Sequence, residues 1–310
     1  MKSDIRKTLF ENNINRVLAT LSGGADSVAM TFLLRNCGVD LMALHCNFHL
    51  RGEESDRDQK FVEDFCRNHD IPLKIKHFDV SQYLRENPGQ SVEMACRNLR
   101  YDWFYSMLEE TRFDRIAVAH NADDNIETFF INLLRGSGTK GLKGMIPDDG
   151  KLWRPLLSFH RKEILELLNS NGLHYIIDSS NASNDFRRNY LRNEIIPMLK
   201  KEWKGFDKAF DKSIKYLREE NLVIEDTLSK ILSQNNSSLP IEKVLNYPAP
   251  TLLIQRFISK AEPFSTTSSE ILDAIIANKP HIRKWILKKG VVYLRNKELS
   301  IVMGHCESRS

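Results

Sequence analysis

The sequence predicts an α/β protein, a doubly wound parallel sheet followed by a smaller, mixed and largely helical C-terminal domain. Three observations predict it. Apolar runs of strand length alternate with stretches of helical spacing along the first two hundred residues, a serine- and glycine-rich turn joins the first such strand to its helix, and beyond about Lys201 the alternation stops. With 310 residues the chain is too long for most single cores, and we divide it into domains at 1–200 and 201–310.

Arg16-Val17-Leu18-Ala19-Thr20 reads as a buried strand and Val28 to Leu34 as a helix. Between them stands Leu21-Ser22-Gly23-Gly24-Ala25-Asp26-Ser27. Two adjacent glycines allow a tight turn and close approach of a ligand, and Ser22 and Ser27 add hydroxyls beside the unpaired N–H groups of the helix start. The stretch from Ser22 through Gly23, Gly24, Ala25 and Asp26 to Ser27 is therefore an anion cradle. It lacks the lysine of a G-x-x-x-x-G-K-[ST] loop and the spacing of G-x-G-x-x-G.

Leu41 to Cys46 is a second strand, Glu54 to Asn68 a helix, and Leu73 to Lys76 a short strand. Ser91 is an N-cap for the helix from Val92 to Phe104, on which Arg97 and Arg100 share a face and can reach one phosphate. Arg115 to Ala119 is the next strand, ending in His120, and Ala122 to Leu134 is a helix opened by Asp123, Asp124 and Glu127. The spacing lets these carboxylates converge, and with Asp26 on the same sheet edge they make an oxygen cage suited to Mg²⁺. Arg135 to Met145, with four glycines and three basic residues including Lys140, is a loop that suits phosphate or a nucleotide strand. Trp153 to Leu157 is extended, His160 to Leu168 helical, and Tyr175-Ile176-Ile177 leads into Asp178-Ser179-Ser180-Asn181. Arg187, Arg188 and Arg192 then crowd into six positions, a cationic cluster for a polynucleotide or a small anion.

In the C-terminal part, Phe206 to Ile231, Leu252 to Ile258 and Glu270 to Ile276 read as helices, and Ile282 to Leu287, Val291 to Leu294 and Leu299 to Val302 as a small antiparallel set. Residues 201–310 hold 18 Lys and Arg against 13 Asp and Glu, whereas residues 1–200 hold 27 against 28. This basic end, with Arg283, Lys284, Lys288 and Lys289, reads as a nucleic-acid-binding module. Five cysteines, none spaced as C-x-x-C, indicate neither a disulfide framework nor a thiolate zinc site, and they read as reduced thiols. The N-terminus has no apolar leader and no run approaches the ~20 residues that span a bilayer, so the expected location is cytoplasmic, away from membranes.

Taken together, these motifs resemble those of the tRNA(Ile)-lysidine synthase family of PP-loop ATP pyrophosphatases. The resemblance rests on S-G-G-A-D-S at Ser22, H-L-R-G-E-E-S at His49, A-C-R-N-L-R-Y at Ala95, H-N-A-D-D-N-I-E-T at His120, L-L-R-G-S-G and G-L-K-G-M up to Met145, D-S-S-N at Asp178 and R-N-Y-L-R-N up to Asn193. It covers about the first 200 residues. Asn121 stands where the family often has a second histidine, and His49 is assigned no chemistry. What the resemblance implies is a Rossmann-like PP-loop domain with ATP and Mg²⁺ as cofactors. ATP would adenylate O2 of the wobble cytidine in a CAU-anticodon isoleucine tRNA, and free L-lysine would attack C2 and expel AMP. The loop would hold the phosphates, Asp26, Asp124 and Glu127 would hold Mg²⁺, and Arg97, Arg100 and Arg192 would clamp charge, with His120 or a carboxylate taking the proton of lysine. Arg135, Lys140, Arg188, Arg283, Lys284, Lys288 and Lys289 would meet tRNA. A tRNA thiolase of the same superfamily is the alternative, disfavoured by the cysteine spacing. The oligomeric state is left open, a homodimer included.

Overall fold

The computed structural model describes residues 1–177, 187–233, 238–259, 261–262, 267–277 and 283–304. Asp178 to Asn181 and Cys306 lie outside the described residues. The chain forms two compact units, residues 1–217 and 218–310.

In the first unit, helix α1 (Lys2–Glu11) precedes β1 (Arg16–Thr20), α2 (Ala25–Cys37), β2 (Asp40–Asn47), α3 (Glu53–Asn68) and β3 (Leu73–His77). Then come α4 (Val80–Glu86), α5 (Val92–Thr111), β4 (Arg115–Ala117), α6 (Ala122–Leu134), α7 (Thr139–Leu142), β5 (Leu152–Trp153) and α8 (Arg161–Ser170). The five strands form one sheet in the order β3-β2-β1-β4-β5. All are parallel, with Val17 opposite Leu41 on one side and Arg115 on the other. Val17, Leu18 and Ala19 are wholly buried, which is why this strand reads as a continuous apolar run and not as an alternating one. One face packs Val28, Met30 and Leu34 of α2 with Ile164 and Leu168 of α8, and the other packs Trp103, Phe104 and Met107 of α5.

The chain leaves β1 toward β2 on one side and reaches β4 on the other, so strand order reverses beside β1. A crevice opens at the carboxyl ends of the strands at such a point. The loop after β1 and the turn after β4 both end there.

Residues 187–202 form α9 (Arg187–Tyr190), a π-helical turn (Leu191–Ile195) and α10 (Ile196–Glu202), leading to α11 (Phe206–Ser233). The division between these units falls within α11. Phe206 and Phe210 at its start pack with Phe130 and Ile126 of the first unit, whereas Leu228 belongs to the core of the second. That second unit holds an antiparallel sheet, β6-β9-β8-β7, of β6 (Ser238–Pro240), β7 (Arg283–Leu287), β8 (Gly290–Arg295) and β9 (Glu298–Met303). It packs on α12 (Ile241–Leu245), α13 (Pro250–Ile258) and α14 (Thr267–Ile276) through Phe257, Ile271 and Trp285. Among the described residues no helix is long and apolar enough to cross a membrane.

Candidate active site

The loop after β1 is built as the glycines demand. Gly23 has φ +90°, and a Cβ there would lie 2.6 Å from Ile176 Cδ1. Ser27 Oγ accepts from the Ser22 amide at 3.2 Å and donates to the Gly24 carbonyl at 2.9 Å, which folds the loop over the first turn of α2. Gly24 is the N-cap of α2 with no side-chain cap, so the helix start offers its N–H groups outward. Beneath the loop, buried His45 Nδ1 lies 2.8 Å from the Leu21 carbonyl. A carbonyl only accepts, so the proton sits on Nδ1.

A cleft of about 270 Å³ opens above this loop, lined by Ser22, Gly24, Asp26 and Ser27, by Leu44 and Cys46 of β2, by Arg100 and Phe104 of α5, and by Val118 and His120 beyond β4. Its lining combines polar and apolar groups, the mixture a nucleotide requires. Burial and the charges of Arg154, Arg188, Arg97 and Arg100 push the imidazole of His120 down to about 3, so it is neutral in the working range.

The acids after His120 separate into two groups. Asn121 caps α6, its side chain accepting from the Asp124 amide while Asp124 Oδ2 accepts from the Asn121 amide, each at 3.0 Å. Glu127, only 1% exposed, is held by two arginines. Arg188 Nε donates to Oε2 at 2.8 Å, Arg192 Nε to Oε1 at 2.6 Å, and Arg192 Nη2 to Oε2 at 3.0 Å. Arg192 Nη2 also donates to Asp124 Oδ1 at 3.2 Å. Asp123 turns away from this pair, which corrects the expectation that the three helical acids converge. Its carboxylate accepts from Lys200 Nζ at 2.6 Å and from the Arg161 amide at 2.7 Å. Burial alone would raise the Asp123 carboxyl, but His160, the Arg161 amide and Lys200 together hold it well below the usual range. His160 in turn lies between Asp123 and Asp211, which carry it up to about 10.

Asp26 is pushed above the usual carboxylate range by burial and by the neighbouring Asp124 charge, against the pull of Arg161. Arg161 donates to its Oδ2, while Oδ1 is buried with no hydrogen-bond partner. An orphaned buried carboxylate oxygen facing a phosphate cradle fits a divalent cation. Glu127 fits it less well, since both its oxygens already take guanidinium protons.

Of the other expected residues, Arg97 stacks on the Tyr101 ring at 4.9 Å and Arg100 on the Phe48 ring at 5.4 Å, both from α5. Arg135 is the exposed C-cap of α6 and Lys140 lies half-buried in α7. Arg188, expected at a tRNA surface, donates to Glu127 while its side chain stays 42% exposed. Arg283 and Lys284 lie on β7 and Lys288 and Lys289 in the β7–β8 turn, all in the second unit, with the three lysines exposed. Two further arginines, Arg154 and Arg161, belong to the site without having been singled out. Each follows a strand end on this edge or begins a helix there, which is the signal that marks them.

Four described cysteines are free, and burial pushes the Cys46 thiol in the cleft wall up to about 12. It is a protonated, inert wall group.

A PP-loop domain model matches residues 1–199. The chain belongs to the PP-loop family. Among its PP-loop relatives, tRNA(Ile)-lysidine synthase of Porphyromonas gingivalis W83 is 42% identical over 80% of this chain and 55% of that one. The protein of the same name from Bacteroides thetaiotaomicron is 37% identical over 86% and 62%, and that of Bacillus subtilis 33% over 76% and 52%. The chain thus spans between 52% and 62% of the length of these relatives. A solved structure of the U34-tRNA thiolase NcsA from Methanococcus maripaludis, with its [4Fe-4S] cluster, matches at TM-score 0.57 and 25% identity, covering 70% of this chain and 78% of that one.

Proposed function

We propose that the chain is an ATP-dependent, carbon–nitrogen-bond-forming tRNA(Ile)-lysidine synthase, acting on the wobble cytidine of a CAU-anticodon tRNA with free L-lysine. The observation that carries this reading is the meeting, at one sheet edge, of a nucleotide cradle with a nest of paired acids and arginines, in a chain with relatives of that name.

Chemically the arrangement suits two substrates side by side. ATP lies with its phosphates on Ser22, Gly24 and Ser27 and its apolar part against Leu44, Phe104 and Val118. The cytosine O2 attacks the α-phosphorus and pyrophosphate leaves, its charge met by the helix start and by Arg100 and Arg97. Asp26 would hold Mg²⁺, which would supply charge neutralisation as pyrophosphate departs. Asp124 draws the ammonium end of lysine, and the part-exposed guanidinium groups of Arg188 and Arg192 suit its carboxylate. The amine attacks C2, the C–O bond breaks, and AMP leaves with the bonding electrons. His120 or a carboxylate at this edge takes the proton of the amine.

The thiolase alternative is opposed by the chemistry of the cysteines. Cys46 and Cys66 are both pushed to about 12 by burial, and no cluster of cysteines suited to a metal occurs among the described residues. The basic strand β7 and the β7–β8 turn of the second unit, with Lys284, Lys288 and Lys289, are proposed as a tRNA contact.

Incubation with ATP, Mg²⁺, labelled lysine and tRNA transcripts differing only at the wobble base tests the proposal. Lysine incorporation confined to cytidine is expected, and incorporation into no transcript refutes it.

A further inference from the structure

A second concavity, about 430 Å³ and sharing no lining residue with the nucleotide cleft, opens at the ends of β2 and β3 among Phe48, His49, Leu50, His77 and Phe78. His49 Nε2 and His77 Nδ1 lie 2.8 Å apart, with ring centroids 4.9 Å apart and ring planes within 15°. Parallel rings stacked face to face cannot bring ring atoms closer than about 3.4 Å, the van der Waals limit for carbon and nitrogen. The two imidazoles are therefore edge-on and nearly coplanar, one donating to the other, and they form one flat plate roughly as wide as a purine. Both residues are exposed, as is Leu50 at 54%.

This plate is held deliberately. His77 pairs with Asn47 in the parallel register of β3 and β2, and His49 is fixed at φ +52°, its amide donating to Asn47 Oδ1 at 2.9 Å. Asn47 is in turn held by Gln59, at 2.9 Å. A histidine held in the left-handed region needs such support, since the backbone there is strained. The chain neighbours of the two histidines, Phe48 and Phe78, stack at 5.1 Å, with Arg100 over the first ring and Lys76 over the second. Arg100 also lines the nucleotide cleft, so one side chain touches both sites.

We propose that the His49–His77 plate is a stacking platform for an unpaired base of the RNA substrate, adjacent to the base that reacts. The proposal rests on the RNA-modifying function proposed above. Sequence-tolerant binding of single strands combines flat aromatic faces with flanking cations, and both are present here. The adenine of ATP has its own apolar walls inside the cleft, which leaves the plate to the other nucleotide chain. Stacking on the plate would draw the neighbouring base out of the loop and present its edge to the α-phosphorus.

The test uses the full chain and an anticodon stem–loop RNA carrying 2-aminopurine beside the reacting cytidine. Binding to the unsubstituted protein is expected to quench the fluorophore. In His77→Ala the quench disappears and RNA affinity falls roughly 5- to 150-fold, the range for loss of one stacked base. ATP affinity and melting temperature stay as they were, which shows the variant is folded, and His77→Phe restores the quench by restoring a flat ring. Equal quench and equal affinity in His77→Ala, or no quench in the unsubstituted protein, overturns the platform. Lysine incorporation is measured on the same preparation. Its absence from a protein that still quenches the probe refutes the proposed reaction and leaves the platform standing.

Discussion

Replacing Glu127 by glutamine removes one buried charge while keeping the side chain's shape. In the native site three guanidinium N–H groups, from Arg188 and Arg192, converge on that carboxylate. Breaking a buried ion pair from one side costs about 3–5 kcal/mol when the remaining charge cannot escape. Here the two arginine side chains are 42% and 38% exposed, so they can turn into water and recover part of the loss. We expect a net destabilisation of about 2–3 kcal/mol. For a unit of this size each kcal/mol moves the midpoint by about 2–4 °C, which gives a fall of about 4–12 °C. Scanning calorimetry of Glu127→Gln reads it directly, and the double variant with Arg188→Gln should lose less than the sum of the two singles, because the two residues share one interaction. A fall of less than 1 °C in Glu127→Gln, or strict additivity in the double variant, refutes the view that this carboxylate is the anchor of the arginine pair.

Gly23→Ala forces a methyl group against Ile176 at a φ of +90°, and calorimetric titration should show ATP binding weakened at least about tenfold. His160 carries a folded-state pKa of about 10, above its unfolded value near 6.5. Its contribution is thus fully present below pH ~6.5 and lost as pH rises toward 10, so the stability gap between the wild type and His160→Gln should close over that window in thermal melts. Neutralising Lys284, Lys288 and Lys289 together should weaken tRNA binding and flatten its salt dependence by about one unit of log–log slope per lost phosphate contact, with ATP affinity unchanged in the same preparation.

The strands were legible where burial makes the sequence speak plainly. Val17 to Ala19, buried on both faces, reads as an apolar run, and the alternation of Trp285 and Leu287 with exposed Lys284 and Ile286 marks β7 as a one-sided strand. Strand β6 was not legible, because a three-residue segment beside a polar stretch carries no periodicity and gains its place only by pairing with β9. The cradle could be read because its residues are contiguous and glycine allows what other residues do not. The ion pairs could not. Asp26 and Arg161 are 135 positions apart, and nothing local says which arginine will meet which acid. Asp123 and Asp124 illustrate the same limit, since successive residues on a helix point about 100° apart and only the neighbours decide which one faces the cleft.

The π-helical turn at Leu191–Ile195 sets an angular phase. It lies between two fixed requirements, the guanidinium of Arg192 at Glu127 and the packing of Ile196 beside Ile126. One residue more or fewer in a helical turn rotates everything after it by about 100°. A deletion within this turn would therefore keep every charge and every apolar group in the inventory and still swing one of the two off its target, so the segment tolerates changes of side chain far better than changes of length.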